Sequence, residues 1–412
     1  MSRLTGTDPV NRCGPLAAAM LIAALPGLAL AQAESLQEAF SDGEVSGNLR
    51  AYHNIRDAHG SDANHTFALG GSLHAETAPW SGVSAGATFY TSNGLGLQYE
   101  ERSRRNANLP DDVDVLGEAW MQYEGAGNRL RAGRLKVDTP FSNPSDAFLI
   151  PITYEALSVA NTAIDGLELS GHYLRRIKNR PDDAFERIGQ FALDRYGVVD
   201  DSDKGAWIAG ARYQPAERQW QAWAMALPDL FTLYYVRMDT PLADWRGLAF
   251  DLGVQGLYGD DAGDALADRI NARGGGLQLS LSRNATTLAL AWNRFWEDAD
   301  AYGRGALPMP FSYSTGPLFT NSMTQTLENS AAGQAYKISL KQSFSPRWSG
   351  QVSYARYQRL GAVDTDEADL DISYAFGGGL EGLSLRLRVG VIGSDQADAR
   401  FVEVRPQLQY VF

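Results

Sequence analysis

GLSLRLRVGV, residues 382–391, alternates without a break: Leu383, Leu385, Leu387, Val389 and Val391 fall on one face of an extended segment, and Ser384, Arg386, Arg388 and Gly390 on the other. Successive side chains of a strand point to opposite faces, so this segment has one apolar side and one strongly hydrophilic side. A soluble β-sandwich shows the same alternation, with its apolar side on a dry core. Repetition therefore has to decide. The pattern returns in SGNLRAYHN (46–54), HTFALGGSLHAE (65–76), GVSAGATFYT (82–91), IDGLELSGHY (164–173), GAWIAGARYQ (205–214), GLAFDLGVQGLY (247–258), GGGLQLSLSR (274–283), AYKISLKQSF (335–344) and EADLDISYAF (367–376). Segments of about ten residues with this period, repeated along one chain, are the signature of strands that cross a membrane with lipid on one face and water on the other.

Strand number sets the architecture. At about 20 to 22 residues per strand with its share of turns, a chain of this length carries about 18 strands, with 16 as the alternative. The expected fold is all-β: a transmembrane antiparallel β-barrel wide enough for a water-filled lumen. Connections alternate as such a barrel needs. PAERQ (215–219) and SFSPRWS (343–349) are tight, whereas 92–112, 136–163, 176–204, 259–273 and 297–333 are long, and the long ones are expected outside with the short turns in the periplasm. The last segment, FVEVRPQLQYVF (401–412), alternates and closes on an aromatic residue, which resembles the assembly signal of Gram-negative outer-membrane barrels.

The first 31 residues read as a secretory leader: Arg3 and Arg12 precede an apolar run from Gly14 to Ala31 that ends in Ala29-Leu30-Ala31. Residues 32–412 are then one barrel domain. The single Cys13 lies in the leader, so the expected mature chain has no cysteine and no disulfide. Formal net charge is −13 for the full chain, and loss of the leader makes it one unit more negative, since two arginines leave with only Asp8. An acidic chain without a basic face excludes nucleic acid as a partner. With 42 Gly, 18 Tyr, 16 Phe and 9 Trp, the composition suits a closed barrel with aromatic girdles.

One stretch refuses to alternate. TPFSNPSDAFLIPITYEAL (139–157) carries Pro140, Pro144 and Pro151, which deny it strand pairing and stiffen it. Phe141, Phe148, Leu149, Ile150, Ile152 and Tyr154 are too many apolar groups for an exposed loop. A loop that folds back and narrows the lumen accounts for both features. It would bring Asp138, Asp146, Phe148 and Glu155 to the constriction.

The run LRAGRLKVDTPFSNPSDAFLIPITYEALSVANTAIDGLELSGHYLRR (130–176), with Leu149, Pro151 and Thr153 and the following Gly166 to His172, resembles the constriction-loop region of the OprD family of outer-membrane porins. YGRG (302–305) with GPLFTNSM (316–323), and LSLRLR (383–388), agree in the same order. The resemblance implies a barrel of about 18 strands that passes small nutrients by passive diffusion. It also implies a ladder of basic side chains on one wall, here Arg386, Arg388 and Arg405, with opposing acids from the inward loop. Where the family often has an arginine just before the Leu-x-Pro, this chain has Phe148, which removes one positive charge from the expected eyelet.

Parity alone also puts Arg386, Arg388 and Arg405 on the wet side of their strands. It adds Arg50, Arg131, Arg176, Arg212, Lys337 and Lys341 as inward candidates. Spaced guanidinium groups hold their charge and offer forked donors, so they can pass a carboxylate along in steps. For each arginine the competing role is a structural ion pair. The expected solutes are carboxylates or amino-acid-like nutrients. The rival reading is an outer-membrane barrel enzyme of lipase or esterase type with a Ser-His pair, but none of His53, His59, His65, His74 and His172 lies in a nucleophile motif. No cofactor or metal set is expected, since the acidic run 259–268 lacks calcium-loop spacing. The expected partners are outer-membrane lipid and lipopolysaccharide, the barrel-assembly machinery and small hydrophilic solutes, and a homo-oligomer is compatible with the sequence.

Overall fold

The alternating segments are laid out as one closed wall in the computed structural model, which describes residues 32–106, 109, 111–145, 148–198, 204–311 and 316–412. The expected leader and Asp146 lie outside the described residues. A short helix, α1 (Leu36–Ser41), capped by the Ser35 side chain, precedes the wall. The wall starts with β1 (Glu44–Ala58), β2 (Asn64–Glu76), β3 (Val83–Asn93), β4 (Val113–Gly125), β5 (Asn128–Leu135), β6 (Thr153–Ile164) and β7 (Leu167–Lys178). A two-residue strand, β8 (Glu186–Arg187), lies in the next connection and is followed by α2 (Ile188–Arg195). The wall resumes with β9 (Ala206–Tyr213), β10 (Gln219–Leu227), β11 (Phe231–Trp245), β12 (Leu248–Asp261), β13 (Asn271–Arg283) and β14 (Thr286–Phe295). It ends with β15 (Gly333–Ser343), β16 (Trp348–Arg359), β17 (Thr365–Ala375), β18 (Leu383–Ser394) and β19 (Phe401–Val411).

Every pairing between neighbours is antiparallel, β7 pairs directly with β9, and β1 pairs with β19. The barrel thus has eighteen strands and no open edge, so the backbone polar groups of each strand are satisfied within the wall. No helix among the described residues is long and apolar enough to cross a membrane. The strands make the crossing.

Parity gives the wall its two faces. Leu385, Leu387 and Val391 lie on the outer surface with Leu290, Ile338, Leu340 and Val352, whereas Ile392, Ala355 and Tyr357 are buried on the inner side. Large aromatic side chains, including Trp220, Trp245, Phe344, Trp348 and Phe412 at one end and Trp207, Tyr234, Trp296 and Tyr336 at the other, flank this apolar band. Such girdles mark the two interfaces of a membrane. Connections of two to seven residues, such as Ala126–Gly127 and Arg246–Gly247, join the strands at the end that carries both chain termini. The connections 94–112, 136–152, 179–205 and 296–332 are at the other, outward end.

Two long connections in particular fold back against the inner wall. Segment 136–152 packs Phe141, Phe148, Ile150 and Ile152 against inward residues including Tyr52, Tyr90 and Tyr154. Segment 296–332, expected outside, also folds inward: Thr320 N donates to Asn293 Oδ1 (3.1 Å), and Thr324 N and Gln325 N donate to the Glu367 carboxylate (2.9 and 2.8 Å). Its apolar residues Leu307, Met309, Phe311, Leu318 and Leu327 explain the departure, since they share a core with Ile188 and Leu193 of α2. Phe191 of α2 stacks on Phe311 at 6.3 Å. The expected loop 136–163 ends earlier than its sequence suggested, because β6 begins at Thr153 and pairs with β5 and β7.

Candidate functional site

One rung of inward side chains crosses five strands in register. Lys341 of β15 faces Gln351 of β16, Gln351 faces Asp371 of β17, Asp371 faces Arg388 of β18, and Arg388 faces Arg405 of β19. The next rung toward the short-turn end carries Ser373, Arg386, Gln407 and Tyr52. The next rung outward carries Ser353, Asp369, Gly390 and Glu403. Period-two alternation in five adjacent strands is enough to stack these charges on one wall.

The arginines on this wall are paired with acids of the wall itself. Arg386 forks onto Asp371, with Nε donating to Oδ1 at 2.9 Å and Nη2 to Oδ2 at 2.6 Å, while Arg388 Nε lies 3.4 Å from the same carboxylate. Arg405 donates to Glu403 Oε1 at 2.6 Å, and Glu403 also accepts from Asn54 (2.6 Å) and from Arg56 Nε (2.8 Å). Access falls along the row: side-chain exposure is 31% for Arg386, 18% for Arg388 and 5% for Arg405. Lys341 lies in the same row with Asp371 among the charges acting on it, and Lys337 donates to the Asn321 carbonyl of the inward segment 296–332.

Gly390, in the middle of the outward rung, makes room for that segment, since a Cβ there would sit 2.7 Å from Met323 Cε. Met323 N donates to Asp369 Oδ2 at 3.4 Å. On the other flank Phe148 reaches the wall, its ring 5.8 Å from that of Tyr52 and under the guanidinium of Arg405 at 5.0 Å. The two inward segments therefore end on either side of the row from Arg386 to Arg405.

The remaining expected residues are distributed elsewhere. Arg131 is inward on β5, 3.9 Å over the Trp120 ring and bonded to Gln122, well away from this row. Arg212 on β9 donates to the Asp138 carbonyl at 3.3 Å. Burial holds the Asp138 carboxyl above the usual carboxylate range, against the pull of Arg212. Asp138 thus faces β7 and β9, away from the ladder. Glu155 is not in the loop: it lies in β6, opposite in parity to the buried Tyr154, and pairs with Arg134 (3.3 Å) and Arg176 (3.7 Å). Glu155 has the parity of the exposed Leu157 and Val159, and an extra residue in β7, Arg175, puts Arg176 on the same outward side, so neither is an inward candidate. The acids beside the ladder are Asp371, Asp369 and Glu403, which parity in β17 and β19 could have revealed.

Histidine–hydroxyl pairs do occur inside the barrel. Ser158 Oγ is 2.9 Å from His172 Nδ1, and Thr88 Oγ1 is 2.8 Å from His74 Nδ1. Both are direct cross-strand partners in their ladders. The Glu168 carboxylate near His172 accepts from Ser170 and lies 3.9 Å from Arg212. These are cross-strand hydrogen bonds within the wall.

The architecture has solved counterparts. OccAB3 of Acinetobacter baumannii matches with a TM-score of 0.76 at 19% identity, over 90% of this chain and 99% of that one. OccK2 (OpdF) of Pseudomonas aeruginosa, solved in complex with glucuronate, matches at 0.75 and 18%, over 91% and 99%. OpdK of the same organism, solved with vanillate, matches at 0.74 and 18%, over 90% and 99%. At such identities the likeness is one of fold. A comparison of the sequence with curated proteins finds no match. The sequence profile of the outer membrane porins of the OprD family matches residues 40–412, which span the whole of the barrel just described. With that match and an eighteen-stranded wall around a charged lumen, the chain belongs to the OprD family of outer-membrane porins.

Proposed function

We propose that this porin passes small carboxylates or amino-acid-like solutes along the wall made by β17, β18 and β19, past an eyelet narrowed by segment 136–152. The observation that carries the reading is the row from Arg386 to Arg405, left between the two inward segments, with its most exposed guanidinium groups at Arg386 and Arg388. A solute crossing such a wall exchanges part of its hydration shell for pore contacts that must be strong enough to admit it and weak enough to release it. Guanidinium groups already shared with Asp371 meet both demands, because a passing carboxylate competes with a resident one instead of meeting a bare charge. Asp371 and Asp369 in turn offer a place to an ammonium group on the same solute.

The structures with vanillate and glucuronate, both of them carboxylates, are of other porins of this fold and lend the reading support at the level of solute class. Single-channel recording with a panel of carboxylates and amino acids as blockers tests it. Wild type should be blocked more strongly by anionic solutes than an Arg386→Ala/Arg388→Ala variant, and equal blocking by every solute would remove these arginines from the mechanism.

A further inference from the structure

The extra residue in β7 concentrates positive charge on the outward face of the wall. Leu174 and Ile177 are both buried on the inner side, so the two residues between them, Arg175 and Arg176, both turn outward. Arg176 thereby joins a row that crosses four strands in register: Arg134 of β5 faces Glu155 of β6, Glu155 faces Arg176, and Arg176 faces Arg187 of β8. Arg134 donates to Glu155 at 3.3 Å and to the Leu116 carbonyl at 3.2 Å, and Arg176 Nε lies 3.7 Å from the same carboxylate. Both guanidinium side chains stay accessible, with 37% and 41% of their surface exposed. Glu186, next to Arg187, pairs instead with the inward Ile177. Four arginines therefore share the one carboxylate of the row.

We propose that this row binds a phosphate group of an outer-leaflet lipid, lipopolysaccharide in a Gram-negative outer membrane. Its level in the wall says where the anion must come from. The next rung toward the short-turn end carries Ala132, Leu157, Tyr173 and Trp207, with the Tyr173 and Trp207 rings 4.5 Å apart. Such an aromatic pair sits at the boundary between acyl chains and headgroups, and two residues of strand, about 7 Å, carry the arginines on among the headgroups. The face is turned to lipid, so an anion that meets it there is carried by a lipid. Phosphate is the anion that fits. Arg176 and Arg187 are directly opposed like charges, which repel across a ladder, and Glu155 supplies a single negative charge against four positive ones. A phosphate group brings the missing charge and several acceptor oxygens that match forked guanidinium donors. Phe185, with its ring centroid 4.4 Å from the Arg134 guanidinium, steadies that end of the row. This site is independent of the solutes in the lumen, since its residues are on the other face of the wall.

Tryptophan fluorescence of the purified chain in detergent, with Trp207 one rung from the row, reports binding of three probes: diphosphoryl lipid A, the same lipid stripped of its phosphates, and inorganic phosphate. Wild type should bind the diphosphoryl lipid at least about ten-fold more tightly than the stripped one. Arg134→Gln/Arg176→Gln/Arg187→Gln should lose that preference while keeping the heat-modifiable gel mobility of a folded barrel. Arg175→Gln, which leaves both contacts of Glu155 in place, should weaken the diphosphoryl lipid by about five-fold and keeps the test decisive should the triple variant not fold. Inorganic phosphate equimolar with the lipid should leave the lipid bound. Equal affinity of wild type for the two lipids, or unchanged affinity of the folded variants for the diphosphoryl lipid, would reduce the row to a surface ion network and overturn the proposal. Displacement of the lipid by equimolar inorganic phosphate would overturn it as well, because the site would then be one for the free anion.

Discussion

Arg388 of β18 and Arg405 of β19 stand directly opposite each other across the sheet, two guanidinium side chains on one rung of the inner wall. Like charges placed so cost stability in a ladder. The wall holds them because each has its own counter-charge, Asp371 at 3.4 Å from Arg388 and Glu403 at 2.6 Å from Arg405. A row of cations that is both dense and compensated can be kept in a folded barrel and still exchange partners with a passing solute.

Glu403 is the most demanding of these counter-charges. It is fully buried and takes donors from Arg405, Arg56 and Asn54. Glu403→Gln keeps the shape but leaves Arg405 and Arg56 without their anion, and breaking a buried pair in this way costs about 3–5 kcal/mol. The unfolding midpoint in urea should fall accordingly. A midpoint equal to that of wild type would mean that the arginines are held by something other than Glu403.

Asp371 tests the screening of the ladder. It accepts a forked pair of bonds from Arg386 and neighbours Arg388, so Asp371→Asn leaves two cations facing the lumen with a neutral partner. The chloride-to-potassium permeability ratio should rise by about two-fold or more. A ratio that stays put, or falls, would show that the charge of Asp371 does not reach the permeating ion.

Acidity should tighten the inward segment 296–332. Glu328 is buried there, accepts from Asn321 Nδ2 at 3.3 Å, and burial pushes its carboxyl up to about 7 from an ordinary 4.5. A carboxyl whose folded value is raised holds its proton more tightly in the docked state. Its contribution is therefore full below about pH 4.5 and is lost as the pH rises through about 7. Flicker in single-channel current should be lower at pH 5 than at pH 8, and Glu328→Gln should stay quiet at both. Equal flicker of wild type at the two values would detach Glu328 from the docking of this segment.

Much of this molecule was legible in its alternation. Leu383 to Val391 read correctly as a strand with a lipid face and a wet face because parity is local and needs no knowledge of neighbours. Strand number followed from repetition, and the apolar content of 136–152 revealed its inward course. The same test applied to Leu307, Met309, Phe311, Leu318 and Leu327 would have brought 296–332 inward as well. Glu155 belongs to β6 and not to the loop because nothing in the apolar content of 136–163 marks where pairing resumes at Thr153, and Arg176 turns outward because the extra residue Arg175 flips parity in β7, a shift that leaves no mark in the hydrophobic pattern. The clustering of Arg50, Arg180 and Arg405 around Phe148 was not legible either, since it depends on how three distant segments meet.

The central claim is that ions and solutes cross a flooded bore along the wall of Arg386 and Arg388. The most direct measurement is the reversal potential of the purified, reconstituted chain under a potassium chloride gradient, wild type against Arg386→Ala/Arg388→Ala. Unitary conductance steps in both proteins are expected, with the double variant's reversal potential displaced toward the potassium equilibrium potential. Absence of conductance steps from the folded wild type, or reversal potentials that coincide, would contradict the account.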